Sequence, residues 1–125
     1  MKGNRNDIAG NINVVKGDDN RIKGDENLLE GNDNSIEGRL NVMKGNQNLL
    51  KGNENSVVGD RNTMKGDKNV VRGDENKLNG DQNVVEGHRN DLEGDNNSIS
   101  GSDNLARGDS NFMKGDKNKV AGNNN

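Results

Sequence analysis

The residues with the clearest capacity for chemistry are acidic and amide side chains that recur as Asp-x-Asn. This spacing is the one with which a calcium-binding loop begins. The bidentate acid and the further oxygen ligands of such a loop are missing, and a cation, Arg61 or Lys68, often lies inside the pair. We therefore favour a turn-forming role and expect no metal site. Examples of the pairs are Asp18/Asn20, Asp25/Asn27, Asp60/Asn62, Asp67/Asn69 and Asp74/Asn76.

The sequence has few residues that could act in nucleophilic or acid–base catalysis. The only histidine, His88, directly follows a glycine, where we expect a solvated turn, and the chain has no cysteine. Neither a catalytic triad nor a zinc site can be built around this single histidine. The recurring glycines lack the strand–loop–helix context of a phosphate-binding loop. We predict a protein that is not an enzyme and has no cofactor.

These residues all belong to a seven-residue repeat that runs from Gly3 to Gly122. The 18 glycines stand seven positions apart, and an asparagine follows each of them by three positions. An apolar residue comes two positions later, which gives the motif G-[D/N]-x-N-x-φ-x, where φ is apolar. A fixed short period is typical of solenoid proteins. We predict that residues 1–125 form one repeat domain of 18 heptads without distinct capping repeats.

The composition excludes an ordinary globular core and several classes of partner. Hydrophobic residues make up 25% of the chain, and Phe112 is the only aromatic residue. The net charge is -3, charges of both signs are mixed along the chain, and neither a basic stripe nor an aromatic platform for bases is present. No apolar run is long enough to span a membrane. We expect neither nucleic acid nor a membrane as a partner.

A seven-residue period could indicate a coiled coil, but the residue types favour short β-strands. A coiled coil needs two apolar positions per heptad, and a glycine in a helix costs about 1 kcal/mol relative to alanine. In x-φ-x, the central side chain points to one side and its neighbours to the other, as in a strand. The glycine can adopt positive φ, and the Asp or Asn after it can bond the local backbone in an Asx-turn.

The position directly after the repeated asparagine indicates two heptads per coil. In alternate heptads six of eight such residues are apolar, whereas in the remaining heptads only two of nine are. We predict an all-β, two-sided parallel β-solenoid, or β-roll, with 14 residues per coil, about nine coils and a length of roughly 40 Å. The apolar set forms a candidate binding face: Val14, Leu28, Val42, Ser56, Val70, Val84, Ser98 and Phe112.

The asparagine three positions after every glycine predicts a buried amide ladder. A solvated turn would also accept Asp, Ser or Gly, whereas stacked amides can satisfy one another because each carries a donor and an acceptor. The φ residues would form a thin apolar spine beside this ladder. The predicted structural ladder comprises Asn13, Asn20, Asn27, Asn34, Asn41, Asn48, Asn55, Asn62, Asn69, Asn76, Asn83, Asn90, Asn97, Asn104, Asn111 and Asn118.

The unit x-x-N-x-V-x-G resembles the repeat of the grass ice-recrystallisation-inhibition, or antifreeze, proteins. Asn69, Val71 and Gly73 stand where that pattern has Asn, Val and Gly, and the resemblance covers essentially the whole chain. It implies a left-handed β-roll with a valine core and internal asparagine ladders. It also implies ice, or ordered water, as the partner of a flat outward face, and an extracellular location. We expect no signal peptide within this chain, because Met1-Lys2-Gly3 already belongs to a repeat.

Two functions are open at this point. The first is ice binding through the flat face, although that face is flanked by charged residues: Lys, Arg or Glu follows φ in 12 of 17 heptads. The second is a structural or self-associating β-solenoid, which would dock a partner or a second copy through the apolar column. Its copies could form a homodimer or associate end to end, since uncapped strand edges are templates for stacking.

Overall fold

The computed structural model describes residues 2–108 and 110–122, which form 17 short strands joined by tight corners. Each strand has three residues, because the glycine of every heptad ends the run of extended backbone. The strands are β1 Asp7–Ala9, β2 Val14–Lys16, β3 Arg21–Lys23, β4 Leu28–Glu30, β5 Ser35–Glu37, β6 Val42–Lys44, β7 Leu49–Lys51, β8 Ser56–Val58, β9 Thr63–Lys65, β10 Val70–Arg72, β11 Lys77–Asn79, β12 Val84–Glu86, β13 Asp91–Glu93, β14 Ser98–Ser100, β15 Leu105–Arg107, β16 Phe112–Lys114 and β17 Lys119–Ala121.

The strands form two parallel sheets that alternate along the chain. The nine odd-numbered strands form one sheet and the eight even-numbered strands form the other. Each strand pairs in register with the strand two heptads further along the chain, as Val70 does with Val84. Lys2 extends the even sheet by an isolated bridge to Lys16. The prediction of an all-β, two-sided solenoid with two heptads per coil is confirmed.

The apolar residue at the centre of each strand points inward and forms a single spine between the sheets. These side chains run from Val15 to Met113, and none is more than 5% exposed. Ile8 and Val120 are partly buried against the spine. Outward residues flank every inward one, so each strand contributes a single residue to the core. This explains how a chain with so few apolar residues buries a continuous core.

The asparagine ladder is confirmed, and it also holds the backbone. Asn34 donates two hydrogen bonds to Oδ1 of Asn20, at 3.0 Å from its backbone nitrogen and at 3.1 Å from Nδ2. Nδ2 also donates to the carbonyl oxygen of Gly45 at 2.7 Å. The same pattern repeats along both sides of the roll. Among the described residues no buried side-chain nitrogen or oxygen lacks a partner. Asn13 and Asn118, near the ends of the predicted set, are only half-buried but make ladder bonds.

Each corner contains two residues with positive φ. The glycine is one of them: at Gly52, φ is +139°, and a Cβ atom there would lie 1.9 Å from the carbonyl oxygen of Gly66 in the next coil. The second is the residue before the asparagine, where φ lies between 52° and 60°. That position carries Ile12, Leu40 and Lys68 among others, which are residue types that rarely adopt this conformation. The sequence did not indicate this second left-handed residue.

At most of the described corners, the Asp or Asn after the glycine acts differently from the predicted Asx-turn. Its side-chain oxygen accepts a backbone N–H from the preceding coil rather than from its own turn. Asn46 donates its backbone N–H to Oδ1 of Asp60 at 2.7 Å, and Asn53 donates to Oδ1 of Asp67 at 2.6 Å. The corners therefore carry an outer ladder that runs parallel to the buried asparagine ladder. The prediction of an Asx-turn was wrong because the backbone N–H that is free to bond this side-chain oxygen belongs to the preceding coil.

Candidate functional site

The predicted candidate residues lie in one straight row on the outer surface of the even sheet, here called the even face. Parallel pairing in register brings them together, since each residue is the Cα partner of the next. Val14 is 55% exposed and Phe112 is 73% exposed. Ser56, Val70 and Ser98 are half-buried. This apolar row consists of Val14, Leu28, Val42, Ser56, Val70, Val84, Ser98 and Phe112.

A second row runs beside the apolar row, formed by the third residue of each even strand. This charged row consists of Lys16, Glu30, Lys44, Val58, Arg72, Glu86, Ser100 and Lys114. Successive residues in both rows are one coil apart, or about 4.8 Å, and the rows are separated by roughly 7 Å because they lie two residues apart along a strand. The even face is therefore a regular two-row array along the whole roll.

Ion pairs within the charged row join side chains of successive coils. Lys16 Nζ donates to Glu30 Oε1 at 2.7 Å, and Lys44 Nζ lies 4.0 Å from the other oxygen of Glu30. The hydrogen bond from Lys16 holds the pKa of Glu30 below its ordinary value. Arg72 Nη1 lies 3.4 Å from Glu86 Oε1. These pairs follow the axis of the roll, so they keep the long side chains within their own row.

Short side chains are concentrated in the middle of the even face. Here Ser56 lies beside Val58, and Ser98 lies beside Ser100 on the same strands. Val70 and Val84 occupy the apolar row between them, flanked by the Arg72–Glu86 pair. We call Ser56, Val58, Val70, Val84, Ser98 and Ser100 the central patch. It is the widest area of the even face that is free of lysine, and its side chains have few rotatable bonds.

The outer surface of the odd sheet, here called the odd face, has no comparable apolar row. Leu49 and Leu105 are separated in their row by Thr63, Lys77 and Asp91. The other row contains charged residues, with Glu37 lying 3.5 Å from both Lys23 Nζ and Lys51 Nζ. The two faces thus differ as the alternate-heptad pattern predicts.

The residues considered for metal binding or catalysis include His88 and the aspartates of the Asp-x-Asn pairs, which lie at the corners and take part in the outer ladder. Within residues 2–108 and 110–122, no group of three or more His, Cys, Asp or Glu side chains is arranged to hold a metal ion. His88 is exposed at a corner, where its Nδ1 accepts the backbone N–H of Asp74 at 3.1 Å. It replaces an Asp or Asn of the outer ladder. No helix in this part of the chain is long and apolar enough to cross a membrane.

Comparison with known proteins agrees with this architecture. A family model described as the grass antifreeze beta roll matches residues 40–125, which is more than half of the chain. The chain belongs to the grass antifreeze beta-roll family. The matched range includes the central patch and the ladders on both sides of it. No curated protein matches the chain. Antifreeze activity is thereby supported at the level of the family, and the resemblance seen in the repeat is confirmed.

Proposed function

We propose that this antifreeze beta roll binds ice through its even face and so inhibits the recrystallisation of ice. The observation that carries the proposal is the in-register apolar row with the central patch beside it. The side chains of the central patch are short, the row repeats every coil, and the hydrogen-bonded sheet beneath fixes the spacing. Such a surface can hold a layer of water in a repeating arrangement. The family description supports ice binding, and the apolar row favours the even face over the odd face.

The ion-paired row is compatible with this function because it leaves the apolar row uncovered. A free lysine is mobile and carries its own hydration shell, which disturbs ordered water. Pairing of Lys16 with Glu30 and of Arg72 with Glu86 restrains these side chains along the axis. We expect ice contact to be strongest at the central patch and weaker near Lys16 and Lys114, at the two ends of the row.

The dimensions of the even face argue against a stable dimer formed through the apolar row. Eight strands about 4.8 Å apart and three residues long give roughly 400 Å² of face, so two copies would bury about 800 Å² in total. Specific and stable interfaces bury at least about 1,200 Å². The charged row would also bring lysines close to the partner copy. We therefore expect the protein to be a monomer at micromolar concentration.

The test is the double substitution Val70→Lys with Val84→Lys. Two lysines in the central patch should abolish inhibition of ice recrystallisation and the shaping of ice crystals. Both positions point outward, so the thermal stability should change little, by about 0.5 kcal/mol or less at each site. The matched control is Leu49→Lys with Leu105→Lys, which adds the same charge on the odd face and should retain activity.

Three outcomes decide between the alternatives. Loss of activity in the even-face variant alone supports ice binding by this face. Equal loss in both variants would contradict the assignment of the face. If the wild-type protein elutes as a dimer that the even-face variant converts into a monomer, the apolar row is an interface between copies instead. An inert protein of the same size serves as the baseline in the ice assays.

A further inference from the structure

The fold sorts charges that are mixed along the chain into acidic edges and basic faces. The two positions after each glycine, which form the corners, contain 15 of the 21 acidic residues and six of the 18 basic residues. The odd face has seven Lys or Arg residues and four Asp or Glu residues. A chain with a net charge of -3 therefore presents a flat face with an excess of positive charge.

In the middle of the odd face, the positive charges are least neutralised by acidic residues. Between Glu37 and Asp91, the outward positions of three successive strands hold no acidic residue. Lys51 is paired with Glu37, but neither Lys65 nor Lys77 makes an ion pair within the described part of the chain. Lys65 lies on the same strand as Thr63, which is exposed, and Lys77 is the Cα partner of Thr63 on the next strand of the odd sheet. Their charges are available to an external anion.

A shallow depression of about 400 Å³ lies on the same face over Ser35. Three cationic side chains surround it, from Arg21, Lys23 and Lys51, together with the carboxylate of Glu37. The depression arises because Ser35 is short and stands between the longer Arg21 and Leu49 in its row. The basic character of the odd face thus extends from this depression to Lys77.

From this arrangement we propose that the odd face docks on an anionic phospholipid surface. A bilayer is flat and extended, so it can meet both rows of the odd face along the whole roll while the acidic edges remain at the sides. Anionic headgroups attract each nearby Lys or Arg, and the attraction decays within about 10 Å at 0.1 M salt. A cylindrical nucleic acid would touch such a rigid flat face along one line only, and the odd face offers no aromatic side chain for base stacking.

This docking would leave the even face exposed, because the two sheets turn their outer surfaces in opposite directions. The protein would then present its proposed ice-binding face away from the bilayer. The expectation that a membrane is not a partner rested on the absence of an apolar run long enough to span one. The coil arrangement brings together cations that belong to different heptads and are separated by acidic corners in the sequence, as Lys65 is from Lys51 and from Lys77.

The experiment measures sedimentation of the full chain with phosphatidylcholine vesicles that do or do not contain phosphatidylserine. At low ionic strength the wild-type protein should bind the phosphatidylserine vesicles, and added salt should release it. Lys65→Gln with Lys77→Gln should weaken this partition about tenfold or more. The matched control, Lys68→Gln with Lys117→Gln, makes the same change in net charge at the corners, where Gln47 and Gln82 already occur at equivalent positions. The control should bind like the wild type.

Each other outcome overturns the proposal. Equal weakening in both variants would show that net charge alone is responsible for binding. If the wild-type protein does not bind vesicles that contain phosphatidylserine, the odd face is not a docking surface for anionic lipid. Binding to soluble heparin or RNA without binding to vesicles would identify a linear polyanion as the partner instead. Inhibition of ice recrystallisation should be unchanged in Lys65→Gln with Lys77→Gln. Failure of the docking proposal is therefore separable from failure of the ice-binding proposal.

Discussion

The side chain of Asn69 occupies a position that needs both a donor and an acceptor. Its Nδ2 donates to the carbonyl oxygen of Gly80 at 2.8 Å, and its Oδ1 accepts bonds from the backbone nitrogen and Nδ2 of Asn83 at 2.8 and 3.1 Å. Aspartate would lose the donor and place a carboxylate in a fully buried site. We expect Asn69→Asp to lower the free energy of unfolding by at least about 2 kcal/mol.

The control for this substitution is Asp67→Asn, which also alters a single charge. Asp67 belongs to the outer ladder, where its Oδ1 accepts the backbone N–H of Asn53 at 2.6 Å. An amide oxygen can accept the same bond, as Asn53 itself does from Arg39 at 2.9 Å. Thermal unfolding should therefore show a much smaller change for Asp67→Asn. Equal melting temperatures for the two variants would mean that the buried ladder does not require an amide.

Leu40 is an aliphatic residue with a φ of 58°, in the corner position directly before Asn41. Asparagine tolerates this left-handed conformation better, and Asn96 already fills the equivalent position with a φ of 60°. We expect Leu40→Asn to raise the free energy of unfolding by about 0.5–1 kcal/mol, measured by urea titration. The reciprocal Asn96→Leu should lower it by a similar amount. If neither variant shifts the transition, the corner backbone is not strained by side-chain type.

The strands and the spine were predictable from the sequence, because a glycine and an apolar residue recur at fixed positions of each heptad. Val71, for example, occupies a position that is apolar in every heptad, whereas the positions on either side of it vary between apolar, polar and charged residues. This contrast is enough to predict which side chain points inward. The choice of two heptads per coil followed from the contrast between the row that contains Val70 and the row that contains Lys77. Parallel pairing in register then placed the apolar row without further information.

The corners were less predictable, because their conformation comes from the stacking of coils rather than from local preference. Ile12 and Leu40 adopt positive φ although their side chains disfavour it, so intercoil hydrogen bonds override propensity there. The acceptor role of Asp60 could not be assigned from one heptad, since its donor belongs to the preceding coil. The separation of charge between faces and corners was likewise hidden in a sequence where Lys65 and Asp67 are neighbours.

Across the whole molecule, the roll is a one-dimensional stack. Among the described strands, close backbone contacts occur only between neighbours in the same sheet, one coil apart. The spine and the buried asparagine ladder continue through the described coils, so each inner coil is stabilised by the coil before it and the coil after it. Such a molecule responds to damage according to where the damage lies along the axis, because an interrupted stack becomes two shorter stacks. Ice binding should depend on position in the same way, because a break in the stack shortens the continuous even face.

Two identical substitutions test this dependence on position. Gly66→Ala and Gly17→Ala each place a methyl group 1.9 to 2.0 Å from a glycine carbonyl oxygen of the next coil, at φ values of 127° and 132°. The local damage is therefore matched. Gly66→Ala should divide the stack near its middle, lower the melting temperature more and raise amide hydrogen exchange in coils on both sides. Gly17→Ala should raise exchange mainly in the first coils and retain most ice activity. Equal exchange profiles would show that the roll unfolds as a single cooperative unit, in which the position of a defect has no influence.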